Sequence, residues 1–254
     1  MRLSFINQQT MGIDMAVVTR PVEYDHNGVK LEGILAWDDS LAGPRPGVLV
    51  AHTWAGRGDF EIGKACALAE LGYVGFAVDM YGKGVLGGSP EENTALMTPL
   101  MEDRGLLQAR IQLAVEVVRQ QPEVDAAQVA ATGYCFGGLT VLDLARSGSD
   151  VLGVVSLHGL FLPADKLANQ TITARVLCLH GYDDPMAQPQ SMLDLATEMT
   201  AAGADWQVHA YGNTVHAFTN PAAADREMGT VYSAVADRRS LQAMKNFLAE
   251  CFGS

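Results

Sequence analysis

Between Pro46 and Gly212 the chain carries six short runs of nearly continuous apolar residues, PGVLVAHT, YVGFAVDM, QVAATGY, VLGVVSLHG, ARVLCLHG and WQVHAYG, most of them closing on turn residues. A strand with one buried face alternates apolar and polar residues, whereas continuous apolarity needs cover on both faces. Stretches of helical spacing lie between the runs. Leu107, Ile111, Ala114 and Val118 share one face, and Met192, Leu195, Ala196 and Met199 share another, with Pro189 near the start and Gly203 just past the end. Leu241, Met244, Leu248 and Cys251 mark an amphipathic C-terminal helix. Strands alternating with helices imply a mostly parallel central sheet with helices on both faces, an α/β class. Ahead of it, VVTRPVEY and VKLEGILAW flank the turn signal DHNG and read as an N-terminal antiparallel hairpin.

No repeat, linker or low-complexity stretch divides the chain, so residues 16–254 read as a single domain and residues 1–15 as a loose tail. The segment Gly82–Gly105, with its glycines, two prolines and a short helical stretch, reads equally as a lid or pocket wall and as a plain surface excursion. A net charge of −12 argues against a nucleic-acid or anionic-membrane surface, since both are bound through clustered Lys and Arg. Cys66, Cys135, Cys178 and Cys251 show no C-x-x-C spacing, which fits a reducing compartment. No apolar run reaches the length of a membrane span and the start does not resemble a signal peptide, so the expected location is cytoplasmic.

One cysteine stands apart. In AATGYCFGGLTVL, Cys135 follows a strand-like run and precedes a helix-like one, where parallel α/β sheets place their ligands. Gly133-x-Cys135-x-Gly137 is the G-x-S-x-G elbow with sulfur in place of oxygen, a turn tight enough to require glycines around the nucleophile. The competing reading is a small buried residue beside glycines that serve only strand–helix packing. A dinucleotide loop is excluded because G-Y-C-F-G-G lacks the G-x-G-x-x-G order.

A nucleophile needs a base, the base needs an orienting acid, and the elbow fold takes them in the order nucleophile, acid, histidine. Downstream, LCLHGYDDPMAQP places Asp183 and Asp184 after a strand, and GNTVHAF places His216 beyond the last strand. His26 lies in the N-terminal turn and His209 on a strand surface, which leaves His216 as the base. His52, His158 and His180 each end a strand; without H-x-x-x-H spacing they read as pocket lining or backbone partners rather than as a metal site.

Gly133-Tyr134-Cys135-Phe136-Gly137-Gly138, the Gly181-Tyr182-Asp183-Asp184-Pro185 turn and His216-Ala217-Phe218 together resemble the dienelactone hydrolase family of α/β-hydrolases, from about the first hairpin to the last helix. The resemblance implies a carboxymethylenebutenolidase-like hydrolase of carboxylic esters or lactones, with Cys135, Asp184 and His216 as the catalytic triad and no cofactor or metal. It selects Asp184, the fourth residue of a G-x-x-D turn, over Asp183. It also implies an oxyanion hole from the backbone N–H groups of Trp54 and Phe136.

Three positions depart from the family pattern. Thr53 stands where the family carries a Glu beside the thiol, so His216 would have to activate Cys135 directly. Lys83 and Asn220 stand where two arginines grip a substrate carboxylate, and a lysine loses the bidentate fork. A neutral or singly anionic ester or lactone is therefore the expected small-molecule substrate. Thr53, Tyr81, Lys83, Tyr134 and His158 are the candidate substrate-binding residues, with Trp54, Tyr81 and Tyr134 as apolar walls. A monomer or homodimer with neither nucleic-acid nor membrane partner is expected. The alternative is a ligand-binding hydrolase relative that retains the three residues without turnover.

Overall fold

The computed structural model describes residues 17–164 and 171–253. The expected tail, residues 1–15, lies outside them. The chain opens on the hairpin β1 (Val17–His26) and β2 (Val29–Asp38), then alternates β3 (Arg45–Ala51), α1 (Asp59–Glu70) and β4 (Val74–Ala77). Two helices in succession, α2 (Pro90–Glu102) and α3 (Arg104–Arg119), lead to β5 (Val124–Tyr134), α4 (Phe136–Arg146) and β6 (Gly153–Leu157). The chain continues through β7 (Arg175–Gly181), α5 (Pro189–Ala201), β8 (Trp206–Tyr211), the short pair β9 (Ala224–Asp225) and β10 (Thr230–Val231), and α6 (Ala234–Phe252).

Eight strands form one sheet in the order β1-β2-β4-β3-β5-β6-β7-β8. β1 pairs antiparallel with β2, and β2 antiparallel with β4; from β4 to β8 every pairing is parallel. Residues of β3 alternate between two apolar clusters. Leu49 and Ala51 pack with α3, α4 and α5, while Val48 and Val50 pack with α1 and α6. The helices therefore cover both faces, which is why these strands read as continuous apolar runs.

The segment 82–105 holds more helix than its glycines and prolines imply. Ser89 caps α2 by accepting from the Glu92 N–H at 3.2 Å, and Pro90 occupies the first turn, where its missing N–H costs nothing. Leu96, Met97 and Met101 of α2 pack on the core, so the segment is a wall rather than a plain excursion. Along α6, Met244, Leu248 and Cys251 are buried, but Leu241 is 44% exposed; the apolar stripe of that helix is narrower than its sequence spacing implies.

Helix α4 is buried along its whole length, including both of its charged residues. An isolated buried charge is prohibitively costly, so each must be paired. Asp143 accepts from Arg104 Nε and Nη2, both at 2.6 Å, and from Arg146 Nη1 at 3.1 Å. Arg146 in turn donates to both oxygens of Glu198 on α5, at 2.8 and 2.7 Å. This network ties α3, α4 and α5 to one another beneath the helix that begins at Cys135. Asp143→Asn leaves Arg104 and Arg146 facing one carboxylate fewer, and equilibrium urea unfolding is expected to show a loss of about 3 kcal/mol. A loss below 0.5 kcal/mol would show that the network does not stabilise the helix layer.

Candidate active site

The five strands β3, β5, β6, β7 and β8 each end at the same edge of the sheet, and each is followed there by one or more of the singled-out residues. His52, Thr53 and Trp54 follow β3, Cys135 follows β5, His158 follows β6, Asp184 follows β7 and His216 follows β8. The chain runs from β3 outward to β4 and then returns to β5 on the other side, so this edge is a topological switch point.

The elbow is made by backbone contact. Cys135 has φ 57° and ψ −115°, a positive-φ conformation outside the regions that L-residues prefer. A Cβ on Gly133 would meet the Gly137 carbonyl oxygen at 2.0 Å, and one on Gly137 would meet the Ala51 carbonyl oxygen at 2.1 Å. Both neighbours are backbone and cannot swing aside, so glycine is required at each place. The Cys135 N–H is shared between the Leu157 carbonyl at 3.1 Å and His158 Nδ1 at 3.2 Å.

The loops that carry Asp184 and His216 meet in the same way. A Cβ on Gly181 would lie 2.6 Å from the carbonyl oxygens of Thr214 and Val215, and the Asp183 N–H donates to the Thr214 carbonyl at 3.0 Å. That approach turns Asp183 out to solvent and Asp184 inward, where it is 1% exposed. Asp184 Oδ2 lies 2.7 Å from His216 Nδ1, and its Oδ1 accepts from the Met186 N–H at 2.8 Å. The second ring nitrogen of His216, Nε2, is buried and has no nitrogen or oxygen partner among the described residues, with the Cys135 thiol as its neighbour. Burial disfavours the His216 cation, but the negative charge available on Cys135 and on Asp184 outweighs it and lifts the pKa to about 10. An open nitrogen on an oriented imidazole, electrostatically coupled to a thiol, is the arrangement of a general base beside a nucleophile.

Cys135 and His216 line one cavity of about 360 Å³. Its walls are mostly apolar: Trp54, Phe60, Met97, Leu160, Met186 and Met228 among them, with Thr53, Asn220 and Thr230 as polar points. The Trp54 and Phe136 N–H groups donate to no protein acceptor among the described residues, and Phe136 opens α4, where partial positive charge accumulates. The loop that carries Trp54 is held from below. Tyr81 donates its hydroxyl to the Trp54 carbonyl at 3.0 Å, and His52 sits between the Thr53 carbonyl at 2.6 Å and the Met80 N–H at 3.2 Å.

Glu61 escaped the sequence reading. Its buried carboxylate accepts from the Thr53 N–H at 3.0 Å and the Gly58 N–H at 2.9 Å, closing the loop onto the first turn of α1. A glutamate three residues after Gly58 is the signal that could have found it. The pair β9–β10 was also illegible. Its second strand lies beside the loop that carries His216, with the His216 N–H on the Gly229 carbonyl at 3.0 Å and the Val231 N–H on the His216 carbonyl at 3.1 Å.

Several candidate substrate contacts are reassigned by their neighbours. Lys83 is directed to the N-terminal hairpin, where it pairs with Glu23 and, at 3.0 Å, with Glu32; it does not line the cavity. Tyr81 supports the Trp54 loop rather than facing the cavity, and Tyr134 is buried edge-to-face against Phe60 at 5.2 Å. Thr53 and His158 do line it, but both His158 nitrogens are already engaged, Nδ1 with the Cys135 N–H and Nε2 with Thr219 Oγ1 at 2.8 Å. His180 packs on Phe161 at 4.8 Å, and its burial lowers its pKa. Among the described residues no three His, Cys, Asp or Glu side chains converge as metal ligands, and no helix is long and apolar enough to cross a membrane.

The chain is also similar to known hydrolases. Residues 31–252 match the model of the dienelactone hydrolase family. A carboxymethylenebutenolidase-like protein of Aquifex aeolicus (strain VF5) is 32% identical over 204 residues, covering 78% of this chain and 86% of its own. The crystal structure of a dienelactone hydrolase-like promiscuous phosphotriesterase from metagenomic libraries is 37% identical, with a TM-score of 0.87 over 93% of this chain and 99% of its own. Thermogutta terrifontis esterase 2, at 15% identity and a TM-score of 0.65 over 91% of this chain and 94% of its own, shares the fold alone. The chain belongs to the dienelactone hydrolase family of α/β-hydrolases and is a hydrolase of carboxylic ester or lactone bonds.

Proposed function

We propose that the chain hydrolyses neutral carboxylic esters or lactones through an acyl-thiol intermediate, with Cys135 as nucleophile, His216 as base and Asp184 as the group that orients it. The observation that carries this reading is the pairing of a strained Cys135 with a His216 whose Nδ1 is fixed by Asp184 and whose Nε2 is left open in the same cavity. In the proposed sequence His216 Nε2 takes the Cys135 proton, the sulfur adds to the acyl carbon, and the N–H groups of Phe136 and Trp54 receive the oxyanion. The carbon–oxygen bond then breaks, and the alcohol or enolate leaves with a proton from His216 Nε2. Water, giving one proton to His216, adds to the thioester carbon; the carbon–sulfur bond breaks, the carboxylic acid leaves, and His216 returns the proton to the sulfur. Donors placed for the oxyanion contribute about 3 kcal/mol each to lowering such a barrier.

The preference for neutral substrates rests on the cavity. No Lys or Arg among the described residues lines it, and Lys83 is occupied by two glutamates. Asn220, at the place of the second arginine, adds no charge. The phosphotriesterase activity named for the 37% identical relative favours one further substrate type, because attack at phosphorus would draw on the same nucleophile and donors.

Three measurements test the reading. Cys135→Ala is expected to abolish turnover of p-nitrophenyl acetate, and stoichiometric alkylation of the wild type to do the same; turnover by Cys135→Ala at the wild-type rate would sink it. In a panel of matched esters, a carboxylate on the substrate is expected to lower kcat/KM, and a gain would show that a cation reaches the cavity. The third concerns pH. Because the His216 pKa is raised in the folded state from about 6.5 to about 10, its stabilising contribution is complete below pH 6.5 and fades as pH rises through 10. Side-chain NMR is expected to show a His216 imidazolium at pH 8 in the wild type and a neutral ring in Cys135→Ala. Identical titrations in the two would remove Cys135 as the cause.

A further inference from the structure

We propose that His158 is a positioning residue that locks the nucleophile elbow to the base loop through Thr219. This inference rests on the cysteine-hydrolase reading above. Its basis is a continuous hydrogen-bonded path between two segments that approach the cavity from different strands. The N–H of Cys135 donates to His158 Nδ1 at 3.2 Å, and His158 Nε2 lies 2.8 Å from Thr219 Oγ1. Thr219 stands three residues after His216, on the loop that carries the base. His158 and Thr219 are each 1% exposed, so neither bond competes with water.

The two partners settle the tautomer. An amide N–H can only donate, so Nδ1 must be the bare nitrogen, and the proton sits on Nε2 and is donated to the threonine. The ring must therefore stay neutral, since a second proton would set two donors against each other at Nδ1. Its surroundings enforce this, because burial and the neighbouring His216 charge push its pKa well below the ordinary 6.5. The His158 backbone is anchored independently, with its N–H on the Leu179 carbonyl at 2.8 Å, and it takes a left-handed φ of 37° that aims the ring back at the elbow. The ring also meets His216 edge to face, at 5.2 Å between centroids and 65° between planes. One imidazole thus touches the backbone of the nucleophile, the ring of the base and the loop behind the base.

A bare strand–helix contact would not need such a residue. The Cys135 N–H already has the Leu157 carbonyl at 3.1 Å, so the His158 bond is not required to satisfy a buried donor. What it adds is a fixed distance between sulfur and imidazole. Misplacement of reacting groups by about 1 Å costs on the order of 100-fold in rate, and loss of a hydrogen bond that orients a metal-binding side chain, the nearest analogue, typically costs about 10- to 100-fold.

The test compares His158→Phe, Thr219→Val and the double variant on p-nitrophenyl acetate, with kcat expressed per alkylatable Cys135 thiol so that unfolded protein does not count. The expected result is a fall in kcat of about 100-fold for His158→Phe and roughly tenfold for Thr219→Val, with KM little changed. The double variant should match His158→Phe alone, because both changes cut one path. Thr219→Val is nearly isosteric and leaves His158 in place, so it decides the matter if phenylalanine cannot be tolerated at φ 37°. Wild-type kcat in folded Thr219→Val, or strictly additive losses in the double variant, would overturn the inference while leaving Cys135 as nucleophile. Full activity of Cys135→Ala would overturn both readings together.

Discussion

The site depends on two backbone segments approaching more closely than any side chain permits. Gly137 lies against the Ala51 carbonyl of β3, and Gly133 lies against the Gly137 carbonyl across the turn itself. Because these contacts are backbone to backbone, they set the position of Cys135 without relying on flexible groups. The strain of a cysteine at φ 57° is then held in place by α4, whose buried length and ion-paired underside leave it little room to shift. The glycines, the elbow and the Asp143 network are parts of one mechanical arrangement: the sheet supplies the strand end, and the helix layer holds the turn closed.

The histidines divide by partner rather than by position. His52, His158 and His180 are all buried at strand ends, and burial holds the pKa of each below the ordinary value. His216 is as deeply buried, yet its pKa rises, because the negative charge of Cys135 and the hydrogen-bonded Asp184 together outweigh burial, whereas Glu61 and Asp79 near His52 and Asp184 near His180 do not. Desolvation acts on all four, and only the site with an acid on one nitrogen and a thiol beyond the other overcomes it. The same contrast explains why the proposed base is flanked by a histidine that must remain neutral.

The region around the cavity is supported by groups that do not face it. Tyr81 and His52 brace the Trp54 loop, Glu61 closes it onto α1, and the β9–β10 pair fastens the backbone of His216. An oxyanion donor stabilises a developing charge only if it need not reorganise, so under the proposed role of the Trp54 N–H this bracing would bear on chemistry without touching substrate.

Much of this was legible in the residue order. Continuous apolar runs announced a sheet covered on both faces, because a parallel strand buries both sets of its side chains. The glycine spacing around Cys135 marked the elbow, since only glycine tolerates such contacts, and the order cysteine, aspartate, histidine followed from the fold. The tertiary structure alone decided the rest. Lys83 turns to Glu23 and Glu32, partners about 50 to 60 residues earlier in the chain, and no local pattern records that pairing. Tyr81 and Tyr134 face inward, Glu61 reaches back to a loop, and β9–β10 is held by contacts too few to leave a periodic trace. Periodicity and turn chemistry are local properties and can be read in one dimension. Which distant charge meets which, and which nitrogen of a buried ring is left without a partner, is set only when the strands are laid side by side.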